Sequence, residues 1–186
     1  MSNSAYSLIP ELNLLKEFEE RMGREPFSDG FELFEYGRVS ALGRNPPAEM
    51  RDRLIPFAQA NHSGSFYALW KCDDRADLAT LPVIFCGDEG DLFIAARSLR
   101  ELFGLLAVDD ASDADDVPSR DAYVRWLKHT FELVPAEDPA ALYDATLLEY
   151  GRAFCDWWLT FEDEDSIIAD LLDELEDLEG PKEQEG

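Results

Sequence analysis

Residues 81–98 read "LPVIFCGDEGDLFIAARS", and the conformation of this stretch decides the class of the whole chain. Two apolar runs flank Gly87, Asp88, Glu89 and Gly90. A four-residue connection of that composition predicts strand, turn, strand. The residues that follow, "SLRELFGLLA", set Ser98 and Glu101 at capping-box spacing ahead of Leu102, Leu105 and Leu106, which predicts a helix packed on the hairpin. The core is therefore expected to mix helices and strands.

Upstream, "SFYALWK" is too densely apolar for simple alternation and predicts a strand covered on both faces. Before it, "AEMRDRLIPFAQAN" places Met50, Leu54, Phe57 and Ala58 on one helical face, with Pro56 expected to kink or shorten that helix because it removes a backbone donor. "NHSGS" then turns helix into strand. Ser63 and Gly64 supply the turn, and Asn61, His62 and Gly64 are residues that tolerate left-handed backbone. Nearer the start, an edge-like strand is expected around Phe31 to Tyr36. Leu8, Leu12, Leu15, Phe18 and Met22 predict an amphipathic helix opened by Pro10 and closed by Gly23.

Downstream, "VDDASDADDVPS" has no apolar period and reads as an acidic linker over 109–118, dividing a core of residues 1–108 from a helical extension of residues 119–186. Tyr123, Trp126, Leu127 and Phe131 make one stripe of the extension. Leu142, Ala145, Leu148, Phe154, Trp157 and Trp158 make a second. Adjacent Trp157 and Trp158 point to different sides of a helix, so one of them is expected at a boundary or interface. Ile168, Leu171, Leu172, Leu175 and Leu178 give a last helix whose outer face is almost purely acidic. Its apolar stripe is expected to dock on the domain itself.

A length of 186 residues with 46% hydrophobic and 12% aromatic content suits one well-filled domain. The formal net charge of −25 and pI near 4.1 argue against nucleic acid and anionic membrane as partners, since both are bound through Lys and Arg. Such acidity serves either solubility or a basic protein partner. Cys72, Cys86 and Cys155 are odd in number and widely spaced, so they read as reduced packing residues, not a disulfide framework or zinc site. The first residues carry no secretory pattern and no run suits a membrane span, so a cytoplasmic location is expected.

The residues competent for chemistry are few. Ser63 and Ser65 lack the flanking glycines of a nucleophile elbow, and His62 is too near Ser63 in sequence to serve as its base. Neither "NHSGSF" nor "CGDEGDLF" meets the direction and charge that a phosphate loop needs. "GDEGD" and "DDASDADD" lack the glycine and glutamate positions of a calcium loop. No cofactor, metal or catalytic residue is expected. Among aromatics, Phe66, Tyr67, Trp70, Trp157 and Trp158 are candidates for a contact surface, with most expected in the core.

"LIPFAQANHSGSFYALW" followed by "LPVIFCGDEGDLFIAARSLRELFGLLA" resembles the SUKH superfamily, over Leu54 to Ala107. In that pattern a helix ends in a turn, a strand ends near a Trp, and a Leu-Pro-Val strand leads through a Gly-x-Glu-Gly hairpin to another strand and a closing helix. Asn61, Gly64, Trp70, Gly87 and Gly90 carry the pattern here, and His62 stands where the family usually has glycine. The resemblance implies an α+β fold with a curved, mainly antiparallel sheet and no catalytic centre. It also implies a non-enzymatic role: many members neutralise bacterial polymorphic toxins, often nucleases or deaminases, and fungal relatives regulate cell-wall synthesis and signalling. An acidic immunity protein would meet a basic toxin. Loop position and sign nominate Asp88, Glu89 and Asp91 on the hairpin, with Asp73 and Asp74 near the preceding strand end, as partner contacts. The alternative is a regulatory or scaffold protein that binds an endogenous partner through the acidic C-terminal helix.

Overall fold

The computed structural model describes residues 5–108, 117–161 and 167–180. Strands β1 (Glu32–Leu33), β2 (Leu54–Gln59), β3 (Phe66–Trp70), β4 (Val83–Cys86) and β5 (Leu92–Ala96) pair in chain order into one antiparallel sheet. Around it lie helices α1 (Pro10–Arg21), α2 (Ala48–Arg53), α3 (Leu99–Leu106), α4 (Arg120–Phe131), α5 (Pro139–Trp158) and α6 (Ala169–Glu179). The chain is an α+β domain.

The sheet is a middle layer with a core on each side. β3 shows why its sequence is apolar throughout: Tyr67 and Leu69 point to one face, and Phe66, Ala68 and Trp70 to the other. The first face is covered by α1, α3 and α4, which bury Leu15, Phe18, Phe103 and Tyr123. Tyr123 is wholly enclosed, and its hydroxyl is satisfied by donating to the Phe103 carbonyl at 3.0 Å. The second face is covered by α5 and α6. Trp70 packs there edge-on to Phe154 and beside Trp157, with centroids 5.0 and 5.5 Å away. The extension after the linker thus supplies cover for both faces, α4 on one and α5 with α6 on the other.

The hairpin of β4 and β5 forms as the sequence predicts, and so does the helix after it: the Ser98 side chain accepts from the Glu101 N–H at 3.2 Å. α1 begins at Pro10, and Gly23 follows it at φ +67°. Ile9, not Leu8, joins the core; Leu8 is 84% exposed. The edge strand expected over Phe31 to Tyr36 shortens to two residues. On α5 it is Leu147, not Leu148, that is buried.

The helix expected through residues 48–61 is corrected. It ends at Arg53, and Leu54–Gln59 is strand β2. The spacing of Met50, Leu54, Phe57 and Ala58 imitates a helical face because a bulge between Pro56 and Ala58 breaks the period of two, which lets Phe57 and Ala58 both enter the first core. Pro56, which has no N–H, sits where the ladder is already irregular. "NHSGS" therefore joins strand to strand. The helix that the family resemblance places before this turn is also strand here.

One further expectation changes. Trp157 and Trp158 are both buried, because Phe161 packs on both rings at 5.1 and 5.3 Å while α6 closes over the second core. The apolar stripe of α6 docks within the domain, with Leu171 and Leu175 at 1% and 0% exposure. Gly151 of α5 makes that approach close: a Cβ there would stand 3.2 Å from Leu175 Cδ1. The linker expected over 109–118 falls mostly outside the described residues, with Val117 buried at its far end. Among the described residues no helix is long and apolar enough to cross a membrane.

Candidate functional site

Antiparallel order brings the β2–β3 loop (60–65) and the β4–β5 turn (87–91) to the same end of the sheet, since β3 begins where β4 ends. Asn61 organises the first loop. Its Oδ1 accepts from the N–H groups of Ser63, Gly64 and Ser65 at 3.0–3.2 Å, while its Nδ2 donates to Ser65 Oγ at 2.8 Å. Gly64 alone of the three residues proposed for left-handed backbone adopts a positive φ, +130°. The Ala60 N–H donates to the Ser65 carbonyl and closes the hairpin.

Ser65 then ties this loop to the next. It is 2% exposed, donates from Oγ to Asp88 Oδ1 at 2.6 Å and accepts from the Asp88 N–H at 3.1 Å. Ser63 Oγ adds a bond to the same carboxylate oxygen at 3.1 Å. The bond from Ser65, with that from Ser63, holds the Asp88 carboxyl below its ordinary range. Both serine hydroxyls are committed to a carboxylate as structural ties, which is not the arrangement of an activated nucleophile. His62 is exposed and turns instead to a small cavity of about 60 Å³, shared with Glu19, Arg24 and Glu32.

The turn itself requires its glycines. Gly87 donates to the Asp91 carbonyl at 2.6 Å, and a Cβ on it would lie 2.9 Å from Asp91 Cβ. Gly90 adopts φ +100°. Asp88, Glu89 and Asp91 are all exposed on this rigid tip. Asp73 and Asp74 are not with them. They follow β3 at its other end, roughly 15 Å away by the length of five strand residues, so the five acidic candidates form two groups. Asp73 is held down to about 2 by the side chain of Arg75, whose guanidinium bonds both its oxygens at 2.7 and 2.6 Å. Asp74 borders a separate depression that also contains Arg53 and Lys71. Asp73 is neutralised by its own arginine, whereas the tip acids project without a basic neighbour in the turn.

Beside the tip lies a feature that sequence reading missed. Tyr67, Phe85 and Phe93 stand opposite one another on β3, β4 and β5, with ring centroids 5.6 and 4.5 Å apart. All three are half-buried. Tyr67 was identifiable as a contact candidate, but Phe85 and Phe93 were hidden within apolar runs. The signal was the register: a hairpin closed by residues 87–91 pairs Phe85 with Phe93. Trp70, Trp157 and Trp158 are core residues and drop out as surface anchors.

All three cysteines are free thiols; burial pushes Cys86 up to about 12 and Cys155 up to about 11, whereas half-buried Cys72 accepts from the Arg75 guanidinium at 3.6 Å. Among the described residues no group of three or more His, Cys, Asp or Glu side chains is placed to hold a metal ion. The chain matches no protein-family model, no curated protein and no solved structure.

Proposed function

We propose that this protein is a non-enzymatic immunity protein that binds and neutralises a basic bacterial toxin, one that acts on nucleic acid, through the acidic end of its sheet. The observation that carries the reading is the pre-organised tip: exposed Asp88, Glu89 and Asp91 on a turn locked to the neighbouring loop through Ser65 and Asn61, beside a half-buried aromatic row. A rigid anionic surface loses little freedom on binding, and its charge accelerates encounter with a cationic partner. A toxin that handles nucleic acid presents the cationic surface that such a tip complements. The resemblance of residues 54–107 to SUKH proteins points to the same role.

The test begins with capture of partners from the source cell on the intact protein, with washes at low and moderate salt. A basic protein retained at moderate salt is then expressed alone and together with this chain. The reading expects growth arrest by the captured protein, relieved by the wild type. It expects no relief by the double variant Glu89→Lys, Asp91→Lys at an unchanged unfolding midpoint, with Asp88 left in place because its carboxylate ties the turn to Ser65. Captured proteins that are harmless when expressed, or relief that the double variant retains, would overturn it.

A second reading, a regulatory or scaffold protein, is favoured by α6. Six acids line its 11 residues without one base, and its apolar side is already occupied, which leaves the charged face outward. Loss of partner capture on neutralising Asp173, Glu176 and Asp177, with the tip variant binding normally, would select it.

A further inference from the structure

Alongside β5, between the end of α3 and the start of α5, runs a groove of about 500 Å³, within the roughly 300–1,000 Å³ of ordinary ligand clefts. Phe93 and Ala95 of β5 and Tyr67 of β3 form its floor, and Leu105 and Leu106 form one wall. Asp91 directly precedes β5 in the turn, so it stands beyond the tip end of the strand whose Phe93 and Ala95 line the groove. Exposed Asp29 also lines the groove, and Asp138, whose carboxylate caps α5 by accepting from the Ala141 N–H at 3.0 Å, directly precedes the lining residue Pro139. Arg120 also lines the groove, but its guanidinium donates to the Val108 carbonyl at 2.6 Å.

We propose that this groove receives one large apolar side chain of the basic partner, presented on a segment with Lys or Arg on either side. The inference rests on the basic-partner reading above and adds to it the element that supplies affinity. Exposed carboxylates contribute little each and act mainly on rate and selectivity, whereas an interface draws most of its energy from a central apolar anchor in a desolvated pocket. The acidic rim selects the flanking charge. An anionic segment would be repelled, and a second copy of a chain with net charge −25 would bring its own carboxylates to the same rim.

The test uses the intact protein and three acetylated, amidated pentapeptides, Lys-Lys-Trp-Lys-Lys, Lys-Lys-Gly-Lys-Lys and Glu-Glu-Trp-Glu-Glu, in titrations followed by amide NMR at about 150 mM salt. The tryptophan peptide with lysines is expected to bind at least about tenfold tighter than its glycine counterpart and to shift the amides of Phe93, Ala95 and Leu105. Ala95→Arg and Leu105→Gln, each checked for an unchanged unfolding midpoint, are expected to abolish that gain. Equal binding of the two lysine peptides would overturn the groove while leaving the acidic tip standing. Binding of neither would remove both readings. A glutamate peptide that binds as well as the lysine one, or a gain that survives both variants, would also overturn the proposal. So would a dimer in sedimentation that Ala95→Arg dissolves, since the groove would then serve self-association.

Discussion

The hydroxyl of Ser65 is worth more to this protein as a tie than any nucleophile reading would suggest. It donates to Asp88 and accepts from both Asn61 and the Asp88 N–H, so Ser65→Ala leaves two donors short in a site that is nearly closed to water. A loss of about 1–3 kcal/mol is expected in urea unfolding. The contribution of Asp88 runs with pH in the acid-labile direction: its folded carboxyl is depressed, so stability present at neutral pH is lost as pH falls through that value. Glu19 has the opposite sign. Burial raises its carboxyl, against the opposing bonds from the Leu33 N–H and Lys16. Wild-type stability should therefore decline as pH rises from the ordinary glutamate range through the raised value. In Glu19→Gln, urea midpoints measured from pH 4 to 7 should lose that decline. Glu19 was not legible beforehand as a buried polar group. Asn61, Gly64, Gly87 and Gly90 were legible as turn residues, because turns demand particular backbone chemistry; Ser65 was recognised only as structural, its partner Asp88 lying 23 residues away.

At the scale of elements, legibility followed local determinism. The β4–β5 hairpin and α3 were readable because turn composition and a capping box act over four residues, and the long helices because their stripes persist for several turns. β2 was misread because a bulge gave it the spacing of a helix, and the pairing that settles the matter comes from β3 and from outside the segment. α6 was readable, but its electrostatics are adverse. Asp173, Glu174 and Asp177 repel at spacings of three and four, and the acids near its C-terminus oppose the helix dipole. Asp177→Lys, on the exposed side, removes those repulsions and places a cation in the last turn. A gain of roughly 0.5–1 kcal/mol is expected at low salt, shrinking as salt is raised, in thermal melts of the two proteins.

Over the whole molecule, the second core depends on residues far apart in sequence, and Trp70 is its hub. Trp70→Ala is expected to cost about 3–5 kcal/mol, read as a fall in the urea midpoint without change in the tip's NMR shifts, because the ring faces α5 and lies at the far end of β3. Composition announced that a sizeable core existed, and the apolar density of "SFYALWK" announced a strand covered on both faces. Which helices would cover the second face was not legible, because they come from beyond residue 116, far from the sheet in sequence. That arrangement has a consequence for synthesis. β5 is complete at residue 96, whereas α5 ends at residue 158, about 60 residues later. At the ribosome's pace of about 5–20 residues per second, the face bearing Trp70, Ile84 and Ile94 waits roughly 3–12 s for its cover. During that interval the nascent chain holds an adhesive half-domain beside its neighbours on a polysome. The acidic run at residues 109–116 emerges within the same interval and adds like charge to neighbouring chains.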